Sequence, residues 1–310
     1  MPGAGDLEAE RSQLREQLGP IGLWTFQLDR LGVGDERDLV REVERAGFGS
    51  LWIAEGTASK EALTHSSVLL AATERLTVAT GIANVWARDA VAMASAARYL
   101  ADASGGRFVV GMGVSHAGAL QRRGHQYGRP LGFMRDYLEQ MNEAVLSSPQ
   151  PAVGPWRMIA ALRPRMLELA AELTHGAHTY FVPPSHTARA RATLGPSPVL
   201  VPEQAVVLDG DADVARARAR DYTSHYLARE TYRNNLRDLG FDDDDVAGSG
   251  SDRLVDALVV WGDRDRITDR IAEHREAGAD HVAVQILTES GALSVGDVRM
   301  LADIASSTTQ

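Results

Sequence analysis

Short apolar runs alternate with helically spaced segments along most of the chain. Ile21–Phe26 (IGLWTF) is apolar throughout. The DERDLVREVERAGF stretch after it places Leu39, Val40, Val43 and Ala46 on one helical face and stops at Gly47. Ser50–Glu55 (SLWIAE), Leu76–Ile82 (LTVATGI) and Arg107–Val114 (RFVVGMGV) repeat the design, each followed by a helical pattern, at a spacing of about 25 to 31 residues. None of these runs has a polar alternate, which is the mark of parallel strands covered on both faces.

Four further runs follow: WRMIAAL, AHTYFVP, VLVPEQAVVL and His281–Leu287 (HVAVQIL), each tied to a helix. Eight strand–helix units in one chain predict an α/β fold, a (β/α)₈ TIM barrel. About 70 residues separate the seventh and eighth strands; they read as an elaborated helical segment, with a long helix from Asp211 and another over SDRLVDALVVWG. Residues 1–18, rich in Glu and Arg, read as a solvated N-terminal helical arm, and 19–310 as a single barrel domain.

Composition narrows the chemistry. The chain has no cysteine, which removes disulfides, thiolate nucleophiles and Cys-bound metals. Lys60 is its only lysine, so few Schiff-base candidates exist. A formal charge of −10 argues against a nucleic-acid partner. No apolar run approaches a membrane span, and no signal peptide is evident. A cytoplasmic location and a small-molecule substrate are the expectations.

The stretch Arg107–Leu120 (RFVVGMGVSHAGAL) offers three readings. A nucleophile elbow needs G-x-S-x-G, but the residue two after Ser115 is Ala117. A dinucleotide loop needs G-x-G-x-x-G, and Gly111, Gly113 and Gly118 miss the last spacing. The end of a barrel strand facing a bound ring requires only that glycine admit the ring near the backbone. Alternatively, Gly111 and Gly113 merely make room for packing.

The stretches LWIAE, LTVATGIANVWARDAVAMASAARYLADASGGRFVVGMGVSH, RPRMLELAAELTHGAHTYFVPPSHTARA and GADHVAVQIL together resemble the luciferase-like monooxygenase superfamily, and within it the branch of deazaflavin (coenzyme F420)-dependent oxidoreductases. The resemblance runs from about Gly19 to Leu287. It implies a TIM barrel with a flavin-like ring at the mouth, hydride transfer to or from a small organic substrate, and a homodimer. It also implies a non-proline cis peptide near Gly81-Ile82-Ala83. Flavin mononucleotide (FMN) with oxygen, in a monooxygenase, is the alternative; a degenerate barrel that binds without turnover is another. Carried onto this chain, the cofactor residues are Trp24, Gly81, Ile82, Ala83, Asn84, Gly113, Ser115, Arg163, Arg165 and Gly176. Many relatives have glycine at the position of Arg163, so this side chain either reaches the phosphate and acidic tail or closes the slot.

Glu55 and His116 are the candidate catalytic residues, as proton donor or acceptor beside the reacting carbon. For Glu55 the competing reading is an ion pair with Arg88. Trp86 is assigned to the substrate pocket. His175 and His178 stand at H-x-x-H spacing, but no third ligand is evident and no metal is expected. The HAGALQRRGHQYGRP segment has the length and glycines of a lid, and Asp242–Asp245 starts a solvated helix.

Overall fold

The computed structural model describes residues 4–126 and 128–307. Its strands are β1 (Ile21–Thr25), β2 (Ser50–Ile53), β3 (Thr77–Thr80), β4 (Ala83–Asn84), β5 (Phe108–Gly113), β6 (Trp156–Ala160), β7 (Gly176–Thr179), β8 (Val199–Val207), β9 (Val259–Trp261) and β10 (Val282–Ile286). The helices are α1 (Ala4–Leu18), α2 (Val33–Arg45), α3 (Ala62–Ala72), α4 (Ala90–Ser104), α5 (Ala117–Arg122), α6 (Pro130–Glu143) and α7 (Pro164–Leu173). They continue with α8 (Pro184–Leu194), α9 (Ala212–Leu227), α10 (Glu230–Asp238), α11 (Asp252–Leu258), α12 (Arg264–Glu276) and α13 (Val295–Ser307).

Parallel pairing runs β1–β2–β3–β5–β6–β7–β8–β10 and closes from β10 back to β1. This is the eight-stranded barrel that the alternation predicts. Proline opens α6, α7 and α8, where its missing N–H costs nothing. No helix among the described residues is long and apolar enough to cross a membrane.

Two expectations need correction. The helix expected over SDRLVDALVVWG ends at Leu258, and Val259–Trp261 is a strand. β8 outlasts β7: Val199–Pro202 pair with β7, whereas Ala205–Val207 offer a free edge that Val259–Trp261 fill. β-branched and aromatic residues suit that edge better than a continued helix.

The N-terminal arm is solvated on one face only. Leu14 and Leu18 are fully buried, packed with Trp52, Trp156, Val109 and Val199 at the N-terminal end of the barrel interior. The Arg11 guanidinium donates to the carbonyls of Ala171 (2.7 Å) and Thr174 (2.8 Å). Burying each leucine stabilises this contact by about 1.5–3 kcal/mol, so α1 is a stopper in the barrel floor.

Strand alternation decides what fills the interior. Trp24, Trp52, Ala79, Val109, Met158, Val201 and Ala283 form one cluster inside the strands. Toward the mouth the same faces turn polar or small, with Gly111, Gly113, His178, Tyr180, Glu203 and Gln285 continuing the inward registers.

Candidate functional site

A cavity of about 940 Å³ opens at the C-terminal ends of the strands, walled in part by α5, α7, α9 and α10. It takes residues from the ends of β1, β2, β3, β5, β6 and β7, the location where barrels bind ligands.

Its inner wall is built at the end of β3. The Gly81–Ile82 peptide is cis, at the segment the resemblance points to. Gly113 on β5 leaves space for Ile82, since a Cβ there would lie 2.6 Å from Ile82 Cγ1. Gly111 has a different duty: a Cβ would lie 2.0 Å from the Thr80 carbonyl oxygen, so it permits close strand contact. The packing reading therefore holds for Gly111, while Gly113, Val114, Ser115 and His116 line the cavity. Ser115 has φ 56°, in the left-handed region that costs a non-glycine residue about 1–3 kcal/mol.

Glu55 borders the cavity with both carboxylate oxygens engaged. One accepts from the Asn84 N–H (2.7 Å), the other from Arg88 (2.5 Å), while the Glu55 N–H donates to the Ile82 carbonyl (3.0 Å). It thus clamps Ile82 and Asn84, and the ion pair with Arg88 is present. Asn84 lines the cavity; Ala83 is fully buried behind it.

His116 packs 5.4 Å from the Tyr232 ring. Burial first, then Arg229 and His225, lower its pKa to about 4, so it is a neutral imidazole at pH 7.

The floor carries two unpaired buried atoms. His178 Nδ1 lies 2.9 Å from the Val201 carbonyl, which assigns the proton to Nδ1 and leaves Nε2 as a bare acceptor. Burial lowers the His178 pKa to about 4. Trp24 Nε1–H is a donor without a partner, as His178 Nε2 is an acceptor without one. Both abut Gly81, where a Cβ would lie 2.7 Å from Trp24 Nε1 and 3.1 Å from His178 Nε2. Donor and acceptor side by side fit the polar edge of a bound ring.

The rim is cationic. Arg122, Arg163, Arg165 and Arg229 line the cavity, and Glu55 is the sole carboxylate among the described lining residues. Arg163 is part of the cavity lining. Its backbone is extended, at φ −113°, and its half-exposed side chain turns to Asp238, 2.8 Å away. Arg229 donates to the His225 carbonyl (2.9 Å) and lies 5.3 Å from the Tyr226 ring centroid, with no carboxylate partner among the described residues.

Besides Ala83, two predicted residues lie outside the cavity lining. Gly176 opens β7 at the far end of the strand, pressed against Val199. Trp86 is outside the cavity wall; it stacks on Phe133 at 3.8 Å and donates to the Val114 carbonyl. His175 and His178 cannot share a ligand, because three residues along a strand reverses the face. His175 instead meets Glu10 of α1 and the Arg157 N–H. Among the described residues no group of three or more His, Asp or Glu could hold a metal. Tyr127, inside the predicted lid segment, lies outside the described residues; Ala119, Arg122 and Pro130 of that segment line the cavity. Asp242–Asp245 form a turn, in which Asp245 pairs with Arg253.

Tyr180, Tyr226 and Arg229 were absent from the sequence-derived site. Tyr180 has a signal, since it shares the inward register of His178. Tyr226 and Arg229 come from α9 and its end, where nothing in the local pattern shows which face meets the barrel.

A model of the luciferase-like monooxygenase family matches residues 22–281. A Mycobacterium tuberculosis protein named as a candidate coenzyme F420-dependent oxidoreductase is 25% identical, covering 91% of this chain and 97% of its own length. Among solved structures, an F420-dependent secondary alcohol dehydrogenase in complex with an F420–acetone adduct superposes with a TM-score of 0.74 at 14% identity, over 93% of this chain and 98% of its own. A Pseudomonas putida type II Baeyer–Villiger monooxygenase in complex with FMN gives 0.62 at 15% identity, over 86% and 91%. These structures share the fold. With 260 of 310 residues under the family model, the chain belongs to the luciferase-like monooxygenase family.

Proposed function

We propose that this protein is an oxidoreductase that moves a hydride between a deazaflavin, coenzyme F420, and a small organic substrate. The observation that carries the reading is a cationic rim over an aromatic floor, in a chain of net charge −10. A flat ring with a phosphate and an acidic tail matches that arrangement, and the tail occupies more arginines than the single phosphate of FMN does. A deazaflavin has carbon where a flavin has nitrogen at position 5, so it exchanges electrons in pairs as hydride and does not activate oxygen.

The chain's own residues have separable tasks in this reading. Trp24 Nε1–H and His178 Nε2 orient a polar ring edge. Ile82, held by Glu55 and Gly113, supports the ring by packing. Arg122, Arg165 and Arg229 receive the anionic tail, with Arg163 free to exchange Asp238 for it. His116, neutral at pH 7, accepts or donates one hydrogen bond beside the substrate. Glu55 acts as a clamp on the β3 end, because both of its oxygens are engaged. A homodimer belongs to the same proposal and is measured by light scattering.

The experiment is a fluorescence titration of the protein with F420 and, in parallel, with FMN. We expect F420 to bind more tightly, and Arg229→Ala to weaken it by about tenfold, as the loss of one charge-assisted bond implies. Tighter binding of FMN than of F420 would move the assignment to a monooxygenase. Failure of both to bind would sink the oxidoreductase reading.

A further inference from the structure

A second cavity, of about 280 Å³, lies at the end of the barrel away from the mouth. Its lining comes from α1, α4, α6 and α7 and from the starts of β6 and β7. Much of it is apolar, with Leu7, Ala97, Met141 and Leu173 in the wall.

Two arginines in that wall, Arg98 and Arg157, have no carboxylate partner among the described residues. Arg157, on β6, is partly buried, and its Nη1 donates to Asn142 Oδ1 at 2.6 Å. Its Nε and Nη2 form the edge that grips a carboxylate through two parallel bonds, and they meet no acceptor among the described residues. Arg98, on α4, reaches only the Ser148 carbonyl, at 3.3 Å. Burial pulls the Arg157 pKa down from its usual value, with Glu10 opposing, and an arginine so shifted still carries its charge at pH 7.

The acids at the edge of this cavity are committed elsewhere. Arg157 N–H donates to His175 Nδ1 at 2.9 Å, which puts the ring proton on Nε2, and Nε2 donates to Glu10 at 3.2 Å. Glu172 is held by both Nη atoms of Arg135, at 2.7 and 2.6 Å. Arg107 shows what a structural arginine does when partly buried: it donates to the carbonyls of Ser104, Leu76 and Leu70 at 3.0, 3.0 and 3.2 Å. Arg157 has no such set of carbonyls. In a chain with 42 acidic residues against 32 basic ones, two arginines face an apolar hollow unanswered.

We propose that this cavity binds a small organic carboxylate, with its head group on Arg157 and Arg98 and its hydrocarbon body against Leu7, Met141 and Leu173. A neutral apolar molecule would leave both guanidinium groups open, and an inorganic anion would leave the apolar wall wet. The volume falls just below the usual range of pockets for drug-sized ligands, so the ligand is smaller than a coenzyme. Because Leu7 and Glu10 belong to α1, the site exists only while α1 is docked, and a seated carboxylate ties the floor helix to α4 and β6.

Calorimetric titration with octanoate at pH 7 should show a single site per chain with a dissociation constant below about 1 mM. 1-Octanol has the body without the charge, and inorganic phosphate the charge without the body; each should bind about tenfold more weakly or worse. Arg157→Gln and Arg98→Gln should each weaken octanoate about tenfold, as the loss of a charge-assisted bond implies. Arg98 is on an outer helix, so its variant keeps the test open if Arg157→Gln does not fold. The mouth also carries arginines, and Arg229→Ala separates the two cavities: octanoate binding should stay within about twofold of wild type. On adding octanoate, amide hydrogen exchange should slow in α1 and α4 and stay unchanged in α9 and α10. The proposal is overturned if octanoate does not bind, if 1-octanol binds as tightly, if Arg229→Ala abolishes binding, or if protection is confined to α9 and α10. None of these readouts involves F420, so the outcome is independent of the reaction proposed at the mouth.

Discussion

Glu203 and the buried histidines place opposite demands on the protein as pH changes. Unfolded, the Glu203 carboxyl ionises near the ordinary carboxylate value; folded, it holds its proton up to about pH 8. The folded state therefore binds more protons between those values, and the Glu203 contribution to stability declines as pH rises through that window. Glu203→Gln should stabilise the protein more at pH 8 than at pH 5, by a difference of about 2–4 kcal/mol in denaturant titrations. An equal effect at both values would mean that the group is already ionised. Inward register exposes Glu203 to sequence reading, since it continues Val199 and Val201 in a strand of known phase. A carboxylate taken alone marks a surface position. Glu55 shows the converse, because its place at the end of an apolar run and its pairing with Arg88 were legible, while its hold on Ile82 and Asn84 required the fold.

At the scale of elements, α1 shows how composition can mislead. Its polar residues dominate the average, yet Leu14 and Leu18, four apart, share one face, and that face closes the barrel floor. Leu14→Ala should cost about 2–5 kcal/mol, read as a lower urea midpoint with an unchanged slope. A cost below about 0.5 kcal/mol, ordinary for a surface change, would return the helix to solvent. The eight barrel strands were legible because each falls in a short, largely apolar run with a helical pattern after it. β9 was not, because Val259–Trp261 continue a helical pattern and the free edge of β8 that captures them is 52 residues away along the chain from Val207 to Val259. Trp86 failed as a pocket residue for a related reason: Phe133, on which it stacks, comes from α6, and no local pattern pairs the two.

For the molecule as a whole, acid is the weak direction. His178 and His281 are fully buried with pKa values lowered to about 4, and His274 to about 3, burial being the first cause in each. Unfolded histidine takes up a proton near pH 6.5, so below that value the unfolded chain binds more protons than the folded one. Stability is fully present above about pH 6.5 and is lost as pH falls toward 4. Each imidazole accounts for about 2–3 kcal/mol over that range. Glu203 works in the opposite direction but is one group against three. The urea midpoint should fall from pH 7 to pH 5, and a midpoint that holds or rises would mean that these imidazoles are protonated in the folded state.

The stopper formed by α1 also governs traffic. With the lower end of the barrel filled by Leu14, Leu18, Trp52 and Trp156, the coenzyme and substrate of the proposed reaction would share the mouth of the cavity as their doorway. Two ligands that share a single doorway must queue: the one seated deeper arrives first and departs last. Steady-state kinetics should therefore show compulsory order, with the oxidised and reduced coenzyme competing directly and the organic product inhibiting noncompetitively against coenzyme. High concentrations of the organic substrate should trap the spent coenzyme inside and slow turnover.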